Sequence, residues 1–404
     1  MSHSIQTRAL PAQPFFATPQ QRVELARQRF FEDGVRPSGL VSEAVIQSWT
    51  RCLQAGHDPR RTPAFNPVTA ARIQSVLRRN RLLLNAAANE LGELRTLLAG
   101  TPGTAILTDA QGVVMSTSFD GHVCEDVLMP LAARVGVSLA EDSIGTNAPG
   151  MTAHNGQASV VLGAEHFCTP VHIMYCAAAP IRDVNGQLAA VLDISQERLP
   201  FAFDAAAVVG LYATAIENRL LCAQSDEHIV VQLQIAPTLL GTPMEGLVGV
   251  GSDGRIAWLN GTAARLLGVA TPHAAPLAVD QVLGCDLRAL AALTRCAAPT
   301  TALLPNGLTV VLGARMQAAD GAAKVHALPA APAARANTGA APASMPPRPQ
   351  PFSPTPSPAK LRDLDQQVIQ QTLGVCNGNI SKAARLLGVS RGLIHRHLRR
   401  QRTG

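Results

Sequence analysis

Residues 104–117 read TAILTDAQGVVMST, two β-rich runs on either side of the turn signal Asp109-Ala110-Gln111-Gly112. Such runs around a short polar turn predict a β-hairpin. The same pattern recurs at residues 246–259 (GLVGVGSDGRIAWL), where Ser252-Asp253-Gly254 supplies the turn. The two hairpins are far apart in the chain, so we predict that each belongs to a sheet of its own.

The sequence before the first hairpin has a helical period. Apolar residues recur at helical spacing in residues 20–31, 41–53 and 67–98. After the hairpin we predict helices at 127–135 and 203–221, a polar Gly/Asn loop at 141–150, and strands at 158–162, 172–178 and 188–194. Antiparallel strands with helices before and after them predict a multidomain α+β chain. We assign residues 1–100 to a helical N-terminal region and residues 101–222 to an α+β domain.

The second hairpin opens a smaller domain, which we place at residues 223–328. A helix is predicted at 262–267, and late strands at 301–304 and 308–312. Residues 329–358 follow as a linker, because ten prolines and eight alanines among thirty residues cannot build a core. Such a tether spans from roughly 30 Å as a coil to about 90 Å when extended.

Composition restricts the classes of protein that fit. The 404 residues are 47% apolar, which suffices for several buried cores. The first ten residues lack the apolar segment of a signal peptide, and no run of about 20 apolar residues stands out. We therefore expect a cytoplasmic chain with no membrane partner. The eight cysteines include no C-x-x-C pair, which favours reduced thiols over a disulfide framework or a zinc ribbon.

The positive charge is concentrated at the C-terminal end. Residues 359–404 contain nine Lys or Arg against two acidic residues, whereas the other 358 residues contain 25 basic and 26 acidic ones. A neutral body with a small basic module is typical of a sensor joined to a nucleic-acid-binding domain. A solvated basic tail is the alternative on charge alone.

The basic module has the pattern of three helices. Apolar residues recur at helical spacing in 361–373, a second helix is predicted at 380–387, Gly388 provides the turn, and residues 391–400 form a third helix. Two helices joined by a short turn containing Gly form the helix-turn-helix plan, whose second helix enters the major groove of DNA. A three-helix bundle with a basic surface is the alternative.

Residues 378–392 (GNISKAARLLGVSRG) resemble the signature of Fis-type helix-turn-helix domains. The resemblance covers about forty residues and implies an all-α DNA-binding domain at 359–404. It also implies contacts with bases or phosphates, for which the candidates are Asn379, Ser390, Arg391, His395, Arg396, Arg399 and Arg400. Leu393 stands where such domains usually have Thr, so we expect an altered operator preference.

Two upstream segments resemble the N-terminal parts of the acetoin and glycerol catabolism regulators, which are enhancer-binding activators. They are residues 46–59, with SWTRC followed by GHDP, and residues 141–148, EDSIGTNA. Further matches at 165–167, 176–181 and 188–193 extend the resemblance to about 200 residues. It implies a GAF-like sensor domain at 101–222. The hairpin at 246–259 resembles the opening of a PAS domain, which implies a PAS-like domain at 223–328.

The loop at 141–150 offers backbone amides beside apolar strands, which suits the rim of a pocket for a small polar ligand. A loop whose side chains satisfy their own backbone is the alternative. The candidate ligand-binding residues, including those from the resemblance, are Glu141, Thr146, Asn147, Glu165, His166 and Cys176.

Catalytic and metal chemistry are not expected. Four potential metal ligands occupy even-numbered positions and would face the same side of an extended strand: His166, Cys168, His172 and Cys176. However, Pro170 interrupts any single strand, and the spacing is not that of a zinc finger. No acid/base pair and no Ser/His/Asp set stands out. We expect no metal, no cofactor and no enzymatic activity.

Activators of the resembled family usually carry an AAA+ ATPase between sensor and DNA-binding domain. Here the only lysines are Lys324, Lys360 and Lys382, and neither G-x-x-x-x-G-K-[ST] nor GAFTGA occurs in the sequence. A phosphate loop needs both its glycine-rich turn and its lysine. We therefore expect no ATPase motor, with the linker in the position of that domain.

These observations together predict a sequence-specific, DNA-binding transcriptional regulator that responds to a small molecule of the C2–C4 metabolite class. A homodimer on a two-fold DNA site is expected, with RNA polymerase or a full-length paralogous activator as a further partner. The alternatives are a non-specific architectural DNA-binding protein and a co-regulator that modulates a full-length sigma-54 activator.

Overall fold

The computed structural model describes residues 18–121, 126–225, 228–269, 277–296 and 298–316. The predicted linker at 329–358 and the predicted DNA-binding module at 359–404 lie outside the described residues. Within them the chain is a mixed helix and sheet structure with two antiparallel sheets, as the sequence predicted.

The N-terminal region is helical, as predicted. Helix α1 (Pro19–Arg27) continues into a π-helical turn (Gln28–Glu32), and α2 (Glu43–Gln54), α3 (Ala70–Arg79) and α4 (Arg81–Leu98) follow. Thr18, Ser42 and Thr69 cap α1, α2 and α3, since each side chain accepts a hydrogen bond from a first-turn backbone N–H. The predicted run at 67–98 is two helices, because the chain leaves helical geometry at Asn80.

The first sheet contains five antiparallel strands in the order β2-β1-β5-β4-β3. Their bounds are β1 (Thr104–Asp109), β2 (Val114–Thr117), β3 (Ser159–Leu162), β4 (Met174–Arg182) and β5 (Leu188–Glu197). Strands β1 and β2 pair as the predicted hairpin, and the other predicted runs coincide with β3, β4 and β5.

Four α-helices lie within residues 126–225: α5 (Met129–Ala132), α6 (Glu141–Ile144), α7 (Ala148–Asn155) and α8 (Ala205–Ala223). The predicted helix at 127–135 is the single turn α5. The prediction of a loop at 141–150 was wrong, because α6 and the start of α7 occupy it. Gly145, with φ of 83°, ends α6 in a conformation that favours glycine, and Asn147 then caps α7. The polar composition there reflects helix ends.

Both faces of the first sheet are covered. On the α7 face, α7 packs against β4 and β5, and the buried strand residues there include Ile106, Val161, Ala178 and Val191. On the α8 face, α4 and α8 cover a second apolar set that includes Leu107, Ala177, Ile181, Leu192 and Ile194. The register Cys176↔Ser195 and Ala178↔Asp193 places these four residues on the α7 face, since directly paired residues point to the same side.

The second sheet has the order β8-β7-β6-β10-β9. Its strands are β6 (Ile229–Gln234), β7 (Gly246–Val250), β8 (Ile256–Leu259), β9 (Thr300–Leu303) and β10 (Thr309–Met316). Helices α9 (Gly261–Leu267), α10 (Val279–Leu283) and α11 (Leu287–Leu293) accompany it. The hairpin β7–β8, helix α9 and the two late strands were predicted. The central strand β6 was not, although it pairs with both β7 and β10.

Helix α8 joins the two sheets. By length and composition alone it is apolar enough to cross a membrane, contrary to the expectation that no such segment stands out in the sequence. In the structure it packs on β4 and β5 and buries Val209, Ala213, Ile216 and Leu220. Its apolar character therefore serves the core of the first sheet.

Candidate functional site

Helix α2 docks on the segment that carries α6. The Ser48 hydroxyl contacts the Glu141 carboxylate and lies 2.7 Å from the Thr146 hydroxyl. Arg51 donates two hydrogen bonds to Glu141, Nε to Oε2 at 2.9 Å and Nη2 to Oε1 at 2.8 Å. Cys52 Sγ lies 3.7 Å from Thr146 Oγ1. The SWTRC motif and the EDSIGT motif are therefore the two sides of one polar interface.

Asn147 is occupied by the backbone around it. Its Oδ1 accepts from Gly150 N at 2.9 Å, and its Nδ2 donates to Gly145 O at 2.7 Å. Glu141, Thr146 and Asn147 thus all have partners within the protein. Their contacts hold α2, α6 and α7 together, so any ligand at these three side chains would replace an internal bond.

The segment after β3 is fixed by Arg27 and Trp49. Arg27 donates to the carbonyls of Ala164, His166 and Phe167 at 2.8 to 3.2 Å, and its guanidinium lies 4.6 Å from the centre of the Phe31 ring. Trp49 Nε1 donates to Glu165 O at 2.8 Å. Burial lowers the pKa of Arg27 to about 10, which leaves it charged at neutral pH. The N-terminal helices thereby set the position of residues 164–167.

Glu165 lies at a cleft of about 1020 Å³ between α1 and the segment after β3. Its Oε2 accepts from Leu162 N at 2.9 Å, and burial raises the pKa of its carboxyl group. Arg22, Arg27 and His172 also line this cleft. A smaller cavity of about 350 Å³ adjoins Glu141, Arg51 and His154. The predicted site residues are therefore divided between separate places.

His166 and Cys176 meet beneath the surface on the α7 face. His166 Nε2 lies 3.4 Å from Cys176 Sγ, and its Nδ1 lies 3.0 Å from Gly163 O. Cys176 also interacts with Ser195, whose hydroxyl donates to Asp193 Oδ2 at 2.6 Å. We name His166, Cys176, Ser195 and Asp193 the buried polar chain. All four are at most 4% exposed.

Burial governs the protonation of the buried polar chain. It lowers the pKa of His166 to about 4, so the imidazole is neutral at pH 7. It raises the pKa of the Cys176 thiol well above its ordinary value, so the sulfur keeps its proton. It also raises the pKa of Asp193 to about 7, against an opposing hydrogen bond from Ser195.

Asp193 and Ser195 were not among the predicted site residues. The sequence offered one signal, since polar residues alternate in the otherwise apolar strand LDIS and so share a face. In the part of the chain that the structure describes, no group of three or more His, Cys, Asp or Glu side chains could hold a metal ion. The predicted DNA-contacting residues, Asn379 to Arg400, lie outside the described residues.

Comparison with known families bears on both ends of the chain. The family described as "MimR, N-terminal domain" matches residues 18–208, which include α1 to α7 and the whole first sheet. The family described as "Bacterial regulatory protein, Fis family" matches residues 360–400. Residues 18–208 thus match a MimR N-terminal domain, and residues 360–400 match a Fis-family regulatory domain. The Fis match spans the segment in which the sequence predicted DNA-contacting arginines.

The chain is similar to three curated regulators. It is 32% identical over 235 residues to the acetoin catabolism regulatory protein of Cupriavidus necator, covering 56% of this chain and 35% of the relative. It is 30% identical over 172 residues to the acetoin dehydrogenase operon transcriptional activator AcoR of Bacillus subtilis, covering 42% and 28%. It is 25% identical over 296 residues to the propane 2-monooxygenase operon transcriptional activator MimR of Mycolicibacterium smegmatis, covering 72% and 46%.

These relatives are longer than the region they share with this chain, which spans less than half the length of each. Among solved structures, the Escherichia coli DhaR(N)–DhaL complex contains a chain that matches 67% of this one. The match covers 98% of that chain at 18% identity, with a TM-score of 0.41.

Proposed function

We propose that this protein is a DNA-binding transcriptional regulator whose MimR-type domain senses a small molecule. The observation that carries the proposal is the presence of a MimR N-terminal domain at 18–208 and a Fis-family domain at 360–400 in one chain. The curated relatives are named as transcriptional activators and a regulator of catabolism.

For DNA recognition we propose that the third predicted helix of the terminal module enters the major groove. Arg391 and Arg396 would contact base edges or phosphates, with Arg399 and Arg400 on phosphates. Nine basic residues against two acidic ones in residues 359–404 supply the electrostatic attraction. A homodimer that reads a two-fold site, in the cytoplasm, completes this proposal, with RNA polymerase or a paralogous activator as the partner in transcription.

For sensing we propose that residues 101–222 are a GAF-like domain and residues 223–328 a PAS-like domain. Support comes from two five-stranded antiparallel sheets, each with its own buried core. The effector is proposed to be a C2–C4 metabolite, in keeping with relatives whose names include acetoin and propane.

The chain segment that connects the two sheets supports a route by which effector binding at the first sheet could affect the second. Strand β5 is central in the first sheet and leads into α8, and α8 leads towards β6, which is central in the second sheet. Asn218 of α8 accepts a hydrogen bond from Asn260 Nδ2 at 2.8 Å, and Asn260 also accepts from Leu247 N of β7 at 3.0 Å. A shift of β5 relative to α7 would therefore reach the second sheet through α8.

We further propose that the chain acts without an ATPase of its own, since its three lysines lie in no phosphate-loop sequence. An ATPase assay with the purified chain, with and without DNA, tests this. Turnover that is stimulated by DNA would contradict it.

The test of DNA binding uses a duplex that the full chain itself selects from a random-sequence library. Arg391→Ala and Arg396→Ala should each weaken binding to that duplex by roughly tenfold or more, because each loses about 1–3 kcal/mol of base or phosphate contacts. Arg36→Ala is the matched control, since it removes a guanidinium that is 56% exposed in the N-terminal region. Equal binding by all three variants would refute the assignment of the recognition helix.

Specific and architectural binding are separated by competition. A sequence-specific regulator keeps its selected duplex in an excess of random DNA, whereas an architectural protein releases it. Release at every salt concentration would favour the architectural alternative.

A further inference from the structure

A cavity of about 550 Å³, which we name the junction cavity, lies between the two sheets. Helices α4 and α8 line one side of it, and strands β6, β7 and β10 with residues 241–245 line the other. Next to it, an apolar cluster joins Leu221 of α8 to Val230, Leu247 and Trp258 of the second sheet. Its volume is in the range of about 300–1,000 Å³ that is usual for small-molecule sites. A molecule bound there would contact the helices that cover the first sheet and the strands of the second.

Charged side chains of both signs line the junction cavity. They are Glu90, Arg219, Glu245 and Arg315. Their formal charges cancel, so the cavity as a whole attracts neither anions nor cations. Glu245 is already engaged, since its Oε2 accepts from Gln232 Nε2 at 2.8 Å and from Gly241 N at 2.7 Å. Glu90 and Arg315 each keep a buried atom that has no hydrogen-bond partner among the described residues.

Glu90 contributes an acceptor from the helical side of the junction cavity. Its side chain is only 6% exposed, and Oε1 contacts Arg219 Nε. Oε2 is buried and accepts no hydrogen bond from the residues that the structure describes. Hydrogen bonds from an ammonium group to a carboxylate are shorter and stronger than those between neutral groups. This oxygen therefore fits the ammonium group of a ligand.

Arg315 contributes a donor from the side of the second sheet. Its Nη2 donates to Cys222 Sγ at 3.0 Å. Its Nε is buried and finds no acceptor in the described part of the chain. A guanidinium group carries only donors, so this N–H needs an oxygen from another group. Carboxylates match guanidinium groups in both charge and geometry.

We propose that the junction cavity binds a small zwitterion, whose ammonium group donates to Glu90 Oε2 and whose carboxylate accepts from Arg315 Nε. This goes beyond the proposed function, because it adds a ligand site between the sheets that does not depend on DNA binding. A ligand with one group of each sign satisfies both unpartnered atoms and leaves the summed charge of the cavity at zero. It also ties α4 to β10, and so holds the second sheet against the helices of the first.

The same pair of atoms selects against ligands with a single charged group. An amine without a carboxylate leaves Arg315 Nε without an acceptor, and it adds an uncompensated positive charge to the cavity. A carboxylate without an amine leaves Glu90 Oε2 without a donor, and it faces two acidic side chains, Glu90 and Glu245. An uncharged amide forms weaker hydrogen bonds at both atoms than a zwitterion does.

The experiment measures binding to the full chain by calorimetry. The probes are a series in which methylene groups separate the same two end groups: glycine, β-alanine, 4-aminobutyrate and 5-aminovalerate. Butyrate, butylamine and butyramide are the comparison compounds. The best zwitterion should bind at least about tenfold more tightly than each comparison compound, because each of those loses a charge-assisted hydrogen bond.

Variants test the two contacts separately. Glu90→Gln, which keeps the size of the side chain, should weaken binding of the best zwitterion by about tenfold. Arg315→Lys keeps the positive charge but removes the Nε–H group, and should weaken binding by a smaller factor. Glu43→Gln is the matched control for Glu90→Gln. It also removes a carboxylate that pairs with an arginine, but its side chain is 54% exposed on α2, and it should bind as the parent does.

Alkylation of the parent chain keeps the proposal testable if a variant is poorly folded. Cys222 lines the junction cavity, whereas Cys296 is an exposed free thiol that is not among the residues lining it. The best zwitterion should slow the alkylation of Cys222, followed by mass spectrometry, and leave that of Cys296 unchanged.

Preferred binding of butyrate, butylamine or butyramide overturns the ligand class. Absence of binding by every zwitterion, unchanged affinity in Glu90→Gln, or a zwitterion that leaves the alkylation of Cys222 unchanged overturns the site. The selected duplex separates this inference from the proposed function. If the parent binds its duplex but no zwitterion, the junction site fails while DNA binding stands. If it binds a zwitterion but no duplex, the site stands and the regulatory function fails.

Discussion

The two sheets share one pairing plan but differ in what they bury. In both sheets the central strand lies between two antiparallel pairs of strands. The central strand of the first sheet, β5, is the last of its five strands along the chain, whereas the central strand of the second sheet, β6, is the first of its five. The covered face of the second sheet is apolar, with Val231, Leu233, Val248, Val250, Val310 and Leu312 in its core. The α7 face of the first sheet holds the buried polar chain instead. The first sheet therefore buries interacting polar side chains on a face where the second sheet buries apolar ones.

The largest expected effect is on the pH dependence of the free energy of unfolding, and it tests this contrast between the two sheets. The pKa of Asp193 is raised from 3.8 to about 7, so the folded state binds its proton more tightly than the unfolded state does. Its contribution to stability is therefore present below about pH 4 and is lost as the pH rises to about 7, on the order of 4 kcal/mol in all. Asp193→Asn should remove this slope.

The buried histidines change the stability in the opposite direction as the pH falls. Burial lowers the pKa of His166 and of His172 to about 4 each, so their contribution is present above pH 6.5 and is lost as the pH falls towards 4. In the parent the two effects oppose each other between pH 4 and 6.5. Urea unfolding of Asp193→Asn across this range should therefore show a steeper loss of stability on acidification. An unchanged pH profile would contradict the protonation states assigned to the first sheet.

The second effect concerns tight packing in the second sheet. A Cβ on Gly249 would lie 2.1 Å from Nε1 of Trp258, the residue opposite it on β8. Gly249→Ala should lower the free energy of unfolding by about 3 kcal/mol, because the indole must leave its place. Denaturant unfolding measures this. Gly92→Ala is the control, since a Cβ at that helical position would meet no atom within 4 Å beyond its chain neighbours and the backbone of its own helix.

A smaller effect tests the interface between α2 and α6. Arg51→Ala leaves the largely buried carboxylate of Glu141 without its bidentate partner and should lower stability by about 2 kcal/mol. Arg36→Ala breaks a pair whose side chains are more than half exposed, and should cost less than about 1 kcal/mol. Equal costs for the two variants would show that Glu141 is not held by Arg51.

The smallest expected changes in stability come from replacing a polar residue by an apolar one beside the first sheet, and an apolar residue by a polar one in the second sheet. Thr152→Val should raise the free energy of unfolding by about 1 kcal/mol, because it removes a buried hydroxyl that has no hydrogen-bond partner among the described residues. Val231→Thr should lower it by about 1 kcal/mol, since it places a hydroxyl group in a fully buried apolar core. Thermal unfolding of both variants measures these changes in stability. If Thr152→Val is destabilising, its hydroxyl has a structural role and the contrast between the sheets disappears.

Much of the fold could be predicted from the sequence. The hairpins at 104–117 and 246–259, strands β3 to β5 and helix α8 all follow from local period and turn residues. Strand β6 was missed because it lies just before a recognisable hairpin, and a buried central strand has no alternating pattern to mark it. The loop expected at 141–150 was wrong because Gly and Asn also end and cap short helices.

The candidate site was only partly predictable. His166 and Cys176 were predicted as site residues and are in contact, but Asp193 and Ser195 were not among the predicted site residues. Glu141 was predicted to bind a ligand, and the structure shows it paired with Arg51, ninety positions earlier in the chain. No local pattern encodes a partner at that separation.

The sequence by itself determined the strand and helix periods around the two sheets, and the Fis signature with its cluster of positive charge. Those features depend on neighbouring residues, which a linear pattern records. Tertiary structure alone decided which polar groups find partners and which do not. Hydrogen-bond satisfaction depends on atoms that packing brings together from distant segments, and among the described residues that packing leaves Asp193 Oδ1 and Thr152 Oγ1 without a partner.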